Sequence, residues 1–107
     1  MNQVSMIGRF VREVTLNFTT ENKPVLNNTL AVRRRFKNEH HQTADFIPVI
    51  AWGSVATVIA DHCEKGMLVG TTGRIQSRTY MNKQDEKIFS LEYIIEEIQF
   101  LQPKKSE

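Results

Sequence analysis

Little in this chain could do covalent chemistry. Its histidines are His40, His41 and His62, and its one cysteine is Cys63. His40 and His41 are adjacent in a polar stretch, with no cysteine and no clear carboxylate at metal-ligand spacing, so no metal site is expected. His62 reads as a helix-end residue that eases the dipole. Cys63 reads as a packing residue, because neighbouring positions on a helix point about a quarter-turn apart and His62 could not serve it directly as a base. Neither GxxxxGK[ST] nor GxGxxG occurs. Gly66, Gly70 and Gly73 fall in or before a strand, not between a strand and a helix, so they build no phosphate loop. No catalytic residue, no cofactor and no enzymatic activity are expected.

The remaining chemistry is that of aromatic rings set among cations. Four of the five residues in Arg33-Arg34-Arg35-Phe36-Lys37 are basic. A second such stretch is Arg74-Ile75-Gln76-Ser77-Arg78-Thr79-Tyr80. Between them lies Ala44 to Gly53, Ala-Asp-Phe-Ile-Pro-Val-Ile-Ala-Trp-Gly, which reads as a strand. Alternation puts Phe46, Pro48, Ile50 and Trp52 on one face and Ile47, Val49 and Ala51 on the other. A strand buried on both faces would look the same, and its neighbours argue against that. Arginine and lysine neutralise phosphates and release counterions. A ring stacks on any base, whatever its identity. Aromatics spread among basic residues over several strands suit a flexible polyanion with flat bases. Phe36 and Tyr80 each end a strand beside a polar loop, as a stacking platform would. Trp52 could stack a base or pack against the helix that follows it.

These positions need a small β scaffold to hold them. With 107 residues, 40% hydrophobic and 24% charged, the chain suits one globular domain. No apolar run approaches the roughly 18 residues of a membrane span, and the N-terminus lacks the pattern of a secretory signal. One cysteine excludes an internal disulfide and fits a reducing cytoplasm. The net charge of +2 says little, but the basic run at 33–37 and the acids Glu92, Glu96 and Glu97 separate two signs.

The first segment, Val4 to Thr19, reads as one long strand or two pieces joined near Gly8. After the turn Glu21–Pro24, Val25 to Phe36 forms the second strand, with Leu26, Leu30 and Val32 in the core. A polar loop from Lys37 to Thr43 leads into the Ala44–Gly53 strand. Ser54 to Glu64 is the one helix, N-capped by Ser54, buried through Val55, Val58, Ile59 and His62, and ended by Gly66. Met67 to Met81 is the fourth strand. Its even positions from Arg74 to Tyr80 share a polar and aromatic face, and Val69, Thr71, Gly73, Ile75 and Ser77 can face the core. The loop Asn82–Glu86 and a fifth strand, Ile88 to Leu101, complete the domain. Strand, strand, strand, helix, strand, strand is the OB-fold order, an all-β, five-stranded antiparallel Greek-key barrel with one helix between strands 3 and 4. The expected domain is 1–103, followed by a short polar tail at 104–107.

Several blocks resemble the bacterial and phage single-stranded DNA-binding protein family: Met-Ile-Gly-Arg near the start, 29–37, 44–53, 64–70, 73–80 and 98–101. The resemblance runs from about Met1 to Pro103. It implies an OB fold that assembles as a homotetramer, with a dimer as the alternative, and coats single-stranded DNA in replication, recombination and repair. It also settles Trp52 towards the DNA face. The family's base-stacking positions correspond to Phe36, Phe46, Trp52 and Tyr80. Phosphate contacts would come from Arg33, Arg34, Arg35, Lys37, Arg74 and Arg78, with Lys83 and Lys87. Pairing of the N-terminal strands would build the oligomer through Val4, Ser5, Met6, Ile7 and Gly8.

Typical cellular members continue into a Gly-, Pro- and Gln-rich linker with an acidic tip, which this chain lacks. DNA coating is therefore expected to carry over, and tail-mediated recruitment of replication and recombination proteins is not. A short phage or mobile-element version is the expectation, with a specialised paralogue and a trimmed chain as alternatives. No membrane and no small-molecule substrate is expected. Two other functions fit the same residues: an OB-fold replication or restart accessory that works through protein contacts, and single-stranded RNA binding.

Overall fold

The structure is a computed structural model and describes residues 1–37 and 39–103. Asn38 of the first polar loop and the expected tail at 104–107 lie outside the described residues. The elements are β1 (Val4–Phe10), β2 (Asn17–Phe18), β3 (Pro24–Arg33), β4 (Ala44–Trp52), α1 (Gly53–His62), β5 (Leu68–Met81) and β6 (Lys87–Phe100). The sheet order is β1-β5-β6-β4-β3-β2, and β1 also pairs with β3, which closes the five long strands into a ring. This is the expected OB-type barrel, with the helix between the third and fourth long strands. One expectation is corrected: β4 and β6 close the ring in parallel, at Val49↔Tyr93 and Ile50↔Ile94, whereas the other pairings are antiparallel.

The core follows from alternation. Leu26 and Leu30 from β3, Val49 and Ala51 from β4, Val69 from β5, and Tyr93 and Ile95 from β6 all point inward, with Phe10 of β1. Val32 and Ile47 pack against this cluster at its margin. The helix buries Ala56 and Ile59, with Cys63 just beyond. Its inward stripe is thus 56, 59 and 63; of the expected Val55, Val58, Ile59 and His62, Ile59 is buried and Val55 packs against the core, whereas Val58 and His62 are exposed. Ser54 is not the cap either. Trp52 holds the N-cap position without a side-chain bond, and Gly53 follows at φ +62°. At the other end Cys63 is already extended, its N–H donating to the Ile59 carbonyl at 2.9 Å, so Gly66 lies in a separate turn.

The first strand does not run through to Thr19. It stops at Phe10, and Gly8 lies within it without a break. A Cβ on Gly8 would come within 2.5 Å of the Ala31 carbonyl oxygen, so glycine there permits β1 to cross close over β3. The break falls at Val11 to Leu16, and Asn28 stabilises it. Asn28 is buried, and its Oδ1 accepts from the Arg12 N–H at 3.2 Å and the Thr29 N–H at 2.7 Å. Its Nδ2 donates to the carbonyls of Arg12 at 3.2 Å and Glu13 at 3.4 Å. One carboxamide thus partners backbone that has left the sheet, where an apolar side chain would leave those groups unpaired.

A second polar group ties β1 to the far wall. Tyr93 is 1% exposed, and its hydroxyl donates to Thr71 Oγ1 at 2.9 Å, with the Val4 carbonyl oxygen at 3.3 Å. Thr71 in turn donates to the Met6 carbonyl at 2.9 Å.

Beyond Ile75 and Tyr93 the paired strands β5 and β6 outrun the core as a two-stranded arm. Ser77, expected to face the core, is exposed because no core lies beneath it there. The arm closes in a turn at Asn82–Glu86. There the Asn82 Oδ1 accepts from the N–H groups of Gln84 and Glu86 at 2.9 Å, and Asp85 sits at φ 60°.

Candidate nucleic-acid interface

Residues directly opposite in the registers share a face. Reading across β3, β4, β6 and β5 at one level gives Asn27, Ile50, Ile94 and Arg74. That level lies on the outer face, where Ile50, Ile94 and Val25 form a small apolar floor. Along β4 the same face carries Phe46 at 60% exposure, Pro48, and Trp52 at 38%. Along β5 it carries Arg74, Gln76, Arg78 and Tyr80, the last being 45% exposed. Arg33 extends it on β3, opposite Ala44. Phe46, Trp52 and Tyr80 therefore lie on one continuous surface. Phe36, 78% exposed, lies just past the end of β3 in the loop to β4. The strand is shorter than expected: β3 ends at Arg33 and not at Phe36, although the Arg34 N–H still donates to the Thr43 carbonyl at 2.8 Å.

The cations fall into two groups. Arg34 Nη2 lies 2.7 Å from Asp45, Arg74 Nη1 2.6 Å from Glu96, and Arg78 Nη1 3.4 Å from Glu92. Among the described residues, Arg33, Arg35, Lys37, Lys83 and Lys87 are exposed and form no ion pair with a carboxylate. Glu96 lies diagonally across from Arg74, two residues past its partner Ile94, and sits at a bulge. The pairing shifts between Thr72↔Glu97 and Gly73↔Ile95, which leaves Glu96 unmatched. A Cβ on Gly73 would collide with the Ile94 carbonyl oxygen, so glycine is what lets β6 bend in there.

Cations also sit over the rings, within the roughly 6 Å at which a cation feels the ring quadrupole. Lys23 Nζ is 5.2 Å from the Trp52 ring centroid, Arg35 5.8 Å from Phe36, and Arg78 5.8 Å from Tyr80. Lys23 and Trp52 line a cleft of about 540 Å³ with Val55, Arg74 and Ile94. Sequence reading placed Lys23 in a turn and gave it no role. Its signal was faint: one residue before Pro24, it precedes the strand whose Val25 pairs with Trp52. Trp52 also borders the helix as its N-cap residue, so both readings of that ring have a geometric basis.

Among the described residues no group of three His, Cys, Asp or Glu side chains converges as a metal site, and no helix is long and apolar enough to cross a membrane. The expected oligomer residues lie on β1. It pairs with β5 from Val4 to Arg9 but with β3 only at Arg9 and Phe10. Ile7 is exposed, Val4 and Met6 lean on the core, and Gly8 is buried.

The sequence model of the single-strand binding protein family matches residues 1–101. The chain belongs to this family. Single-stranded DNA-binding protein 3 of Clostridium acetobutylicum is 45% identical over 103 residues, covering 95% of this chain and 72% of its own. The single-stranded DNA-binding protein of Halalkalibacterium halodurans is 39% identical over 108 residues, covering all of this chain and 64% of its own. Single-stranded DNA-binding protein 3 of Streptococcus agalactiae is 38% identical over 108 residues, and the match takes in 78% of its length. The chain thus spans roughly two thirds to three quarters of such relatives, and here that span forms the barrel.

Proposed function

We propose that this protein binds and coats single-stranded DNA without sequence preference and catalyses no reaction. Bases stack on Phe36, Phe46, Trp52 and Tyr80, and Arg33, Arg35 and Lys37 meet phosphates from the start. Arg34, Arg74 and Arg78 meet them after exchanging a carboxylate for a phosphate. The observation that carries this reading is one outer face with the exposed rings of Phe46, Trp52 and Tyr80, and Phe36 exposed in the loop past β3, three of the four rings having a cation within 6 Å. Such a face tracks a strand through its backbone and π-faces and needs no base-edge donors. Its service is protection of strands exposed in replication, recombination and repair, with residues 1–103 as the binding domain. Oligomerisation through the open edge of β1, at Val4 to Gly8, would multiply the surface and extend the strand path, with a homotetramer as the proposed state.

The test is the fluorescence of Trp52 during titration with oligo-dT, duplex DNA and single-stranded RNA at low and moderate salt. Quenching by oligo-dT that weakens with salt is the expected result. Trp52→Ala should cost about 1–3 kcal/mol of affinity with the barrel intact. Absence of both quenching and binding would overturn the reading and give the face to a protein partner. Equal binding of RNA would remove the DNA preference.

A further inference from the structure

The arm has a second face. Opposite the side that carries Tyr80, the registers put Ser77 with Leu91, Thr79 with Phe89, and Met81 with Lys87. Phe89 is 69% exposed and Leu91 67%, and Met81 is exposed beside them. Nearer the barrel this side of the ribbon is the inward one, carrying Ile75 and Tyr93, so its apolar character continues past the point where the core ends. Lys87 is the one charged side chain that alternation places on this face of the arm, and its Nζ lies 5.9 Å from the Phe89 ring centroid. The arm therefore repeats on its second face the pairing found on the first, where Arg78 stands over Tyr80. The acids of this hairpin lie elsewhere: Glu92 faces Arg78 on the first side, and Asp85 and Glu86 belong to the turn.

We propose that Phe89, with Lys87, is a further stacking platform for single-stranded nucleic acid, so that a bound strand passes around the arm from Tyr80 to Phe89. This rests on the DNA-binding reading above. The two rings occupy neighbouring levels of the same ribbon, since Tyr80 pairs with Ile88 and Thr79 with Phe89. Past Val4↔Gly73, where the Asn2 carboxamide still bonds the backbone of Ile75, and past Val49↔Tyr93, neither edge of the ribbon has a strand beside it among the described residues, so a strand can round it. Lys83 in the turn and Lys87 on the second face are cations that a phosphate backbone would meet on the way. A face carrying a cation and no acid fits a polyanion with π-faces, and continuity with the first face says how the strand arrives there.

Oligo-dT of graded length tests this with two variants. Phe89→Ala should leave short oligomers bound as tightly as the wild type binds them and weaken long ones about ten-fold. Its thermal midpoint should be unchanged, because the ring is exposed. The second variant, Trp52→Phe with Phe89→Trp, moves the only tryptophan onto the arm, and its emission should be quenched by long oligo-dT and not by short. An unquenched tryptophan overturns the proposal, as does a Phe89→Ala effect that is absent or equal at every length. Smaller assemblies of Phe89→Ala with unchanged DNA affinity would assign the face to a second copy and also overturn it. If the wild type binds oligo-dT and only these results fail, the platform on the arm falls alone. If the wild type does not bind, the DNA-coating reading falls with it.

Discussion

Glu96 stands 2.6 Å from Arg74, diagonally across from it at the bulge at Thr72/Gly73, where it has no partner across the sheet. A carboxylate in that position competes with any phosphate for the same guanidinium, and Glu92 does the same to Arg78 at 3.4 Å. The face is thus less cationic than its sequence suggests until a strand arrives.

Removing that competition should tighten binding. Glu96→Gln keeps the shape of the side chain and frees Arg74, so affinity for oligo-dT at low salt should rise. The slope of log K against log salt should stay the same, because Arg74 meets the same phosphate in both proteins and only the competing carboxylate is gone. Titrations at several salt concentrations read both. An unchanged affinity would mean that Arg74 does not reach a phosphate.

Asn28 makes a prediction about stability alone. Its carboxamide serves four backbone groups around the break after β1. Asn28→Ala should lower unfolding free energy by about 2 kcal/mol, from polar groups left unpaired and the cavity left behind. Chemical denaturation measures the loss. DNA affinity per folded molecule should not change, since Asn28 is buried.

Tyr93 predicts an alkaline limit. Burial pushes its phenol above the usual range, the bond with Thr71 pulls it partly back, and the nearby charge of Glu96 adds to the rise. A group that holds its proton more tightly when folded stabilises the fold fully below its unfolded value of about 10, and that stability is lost as pH rises through the folded value. The wild-type thermal midpoint should therefore be unaffected by this group up to about pH 10 and fall as pH is raised above that. Tyr93→Phe should start lower at neutral pH, by about 1 kcal/mol for the lost hydrogen bond, and fall less steeply.

Much of this was legible in the chain. The pleat of β4 separates Val49 and Ala51 from Phe46 and Trp52, and the basic stretches on either side said which face was outward, although Ile50 on that face is buried. The ring order followed from element order. The helix stripe was half misread: Ile59 and Val55 do pack inward, but Ala56 and Cys63, both small, are buried where the bulkier Val58 and His62 were expected. The ion pairs were hidden for another reason. Arg34 meets Asp45 across a loop, and Glu96 meets Arg74 at a bulge, and neither shows in local spacing. Nor does alternation say where a strand outlasts its core: Ser77 keeps the inward parity of Ile75 but has nothing beneath it.

That overhang sets an order of events. A two-stranded ribbon is at best marginally stable alone in water. The arm past Ile75 is held at its root by the barrel and at its tip by Asn82, with no third layer between. Its amide hydrogens should exchange with solvent well before those of β3 or β4, and a nucleic acid lying along it would supply the missing layer. The surface around Trp52 is finished before any ligand comes, whereas the arm would be completed by a strand laid along it. Short strands would then sample only the finished part, and the molecule would gauge the length of a strand by how far out along the arm order has spread.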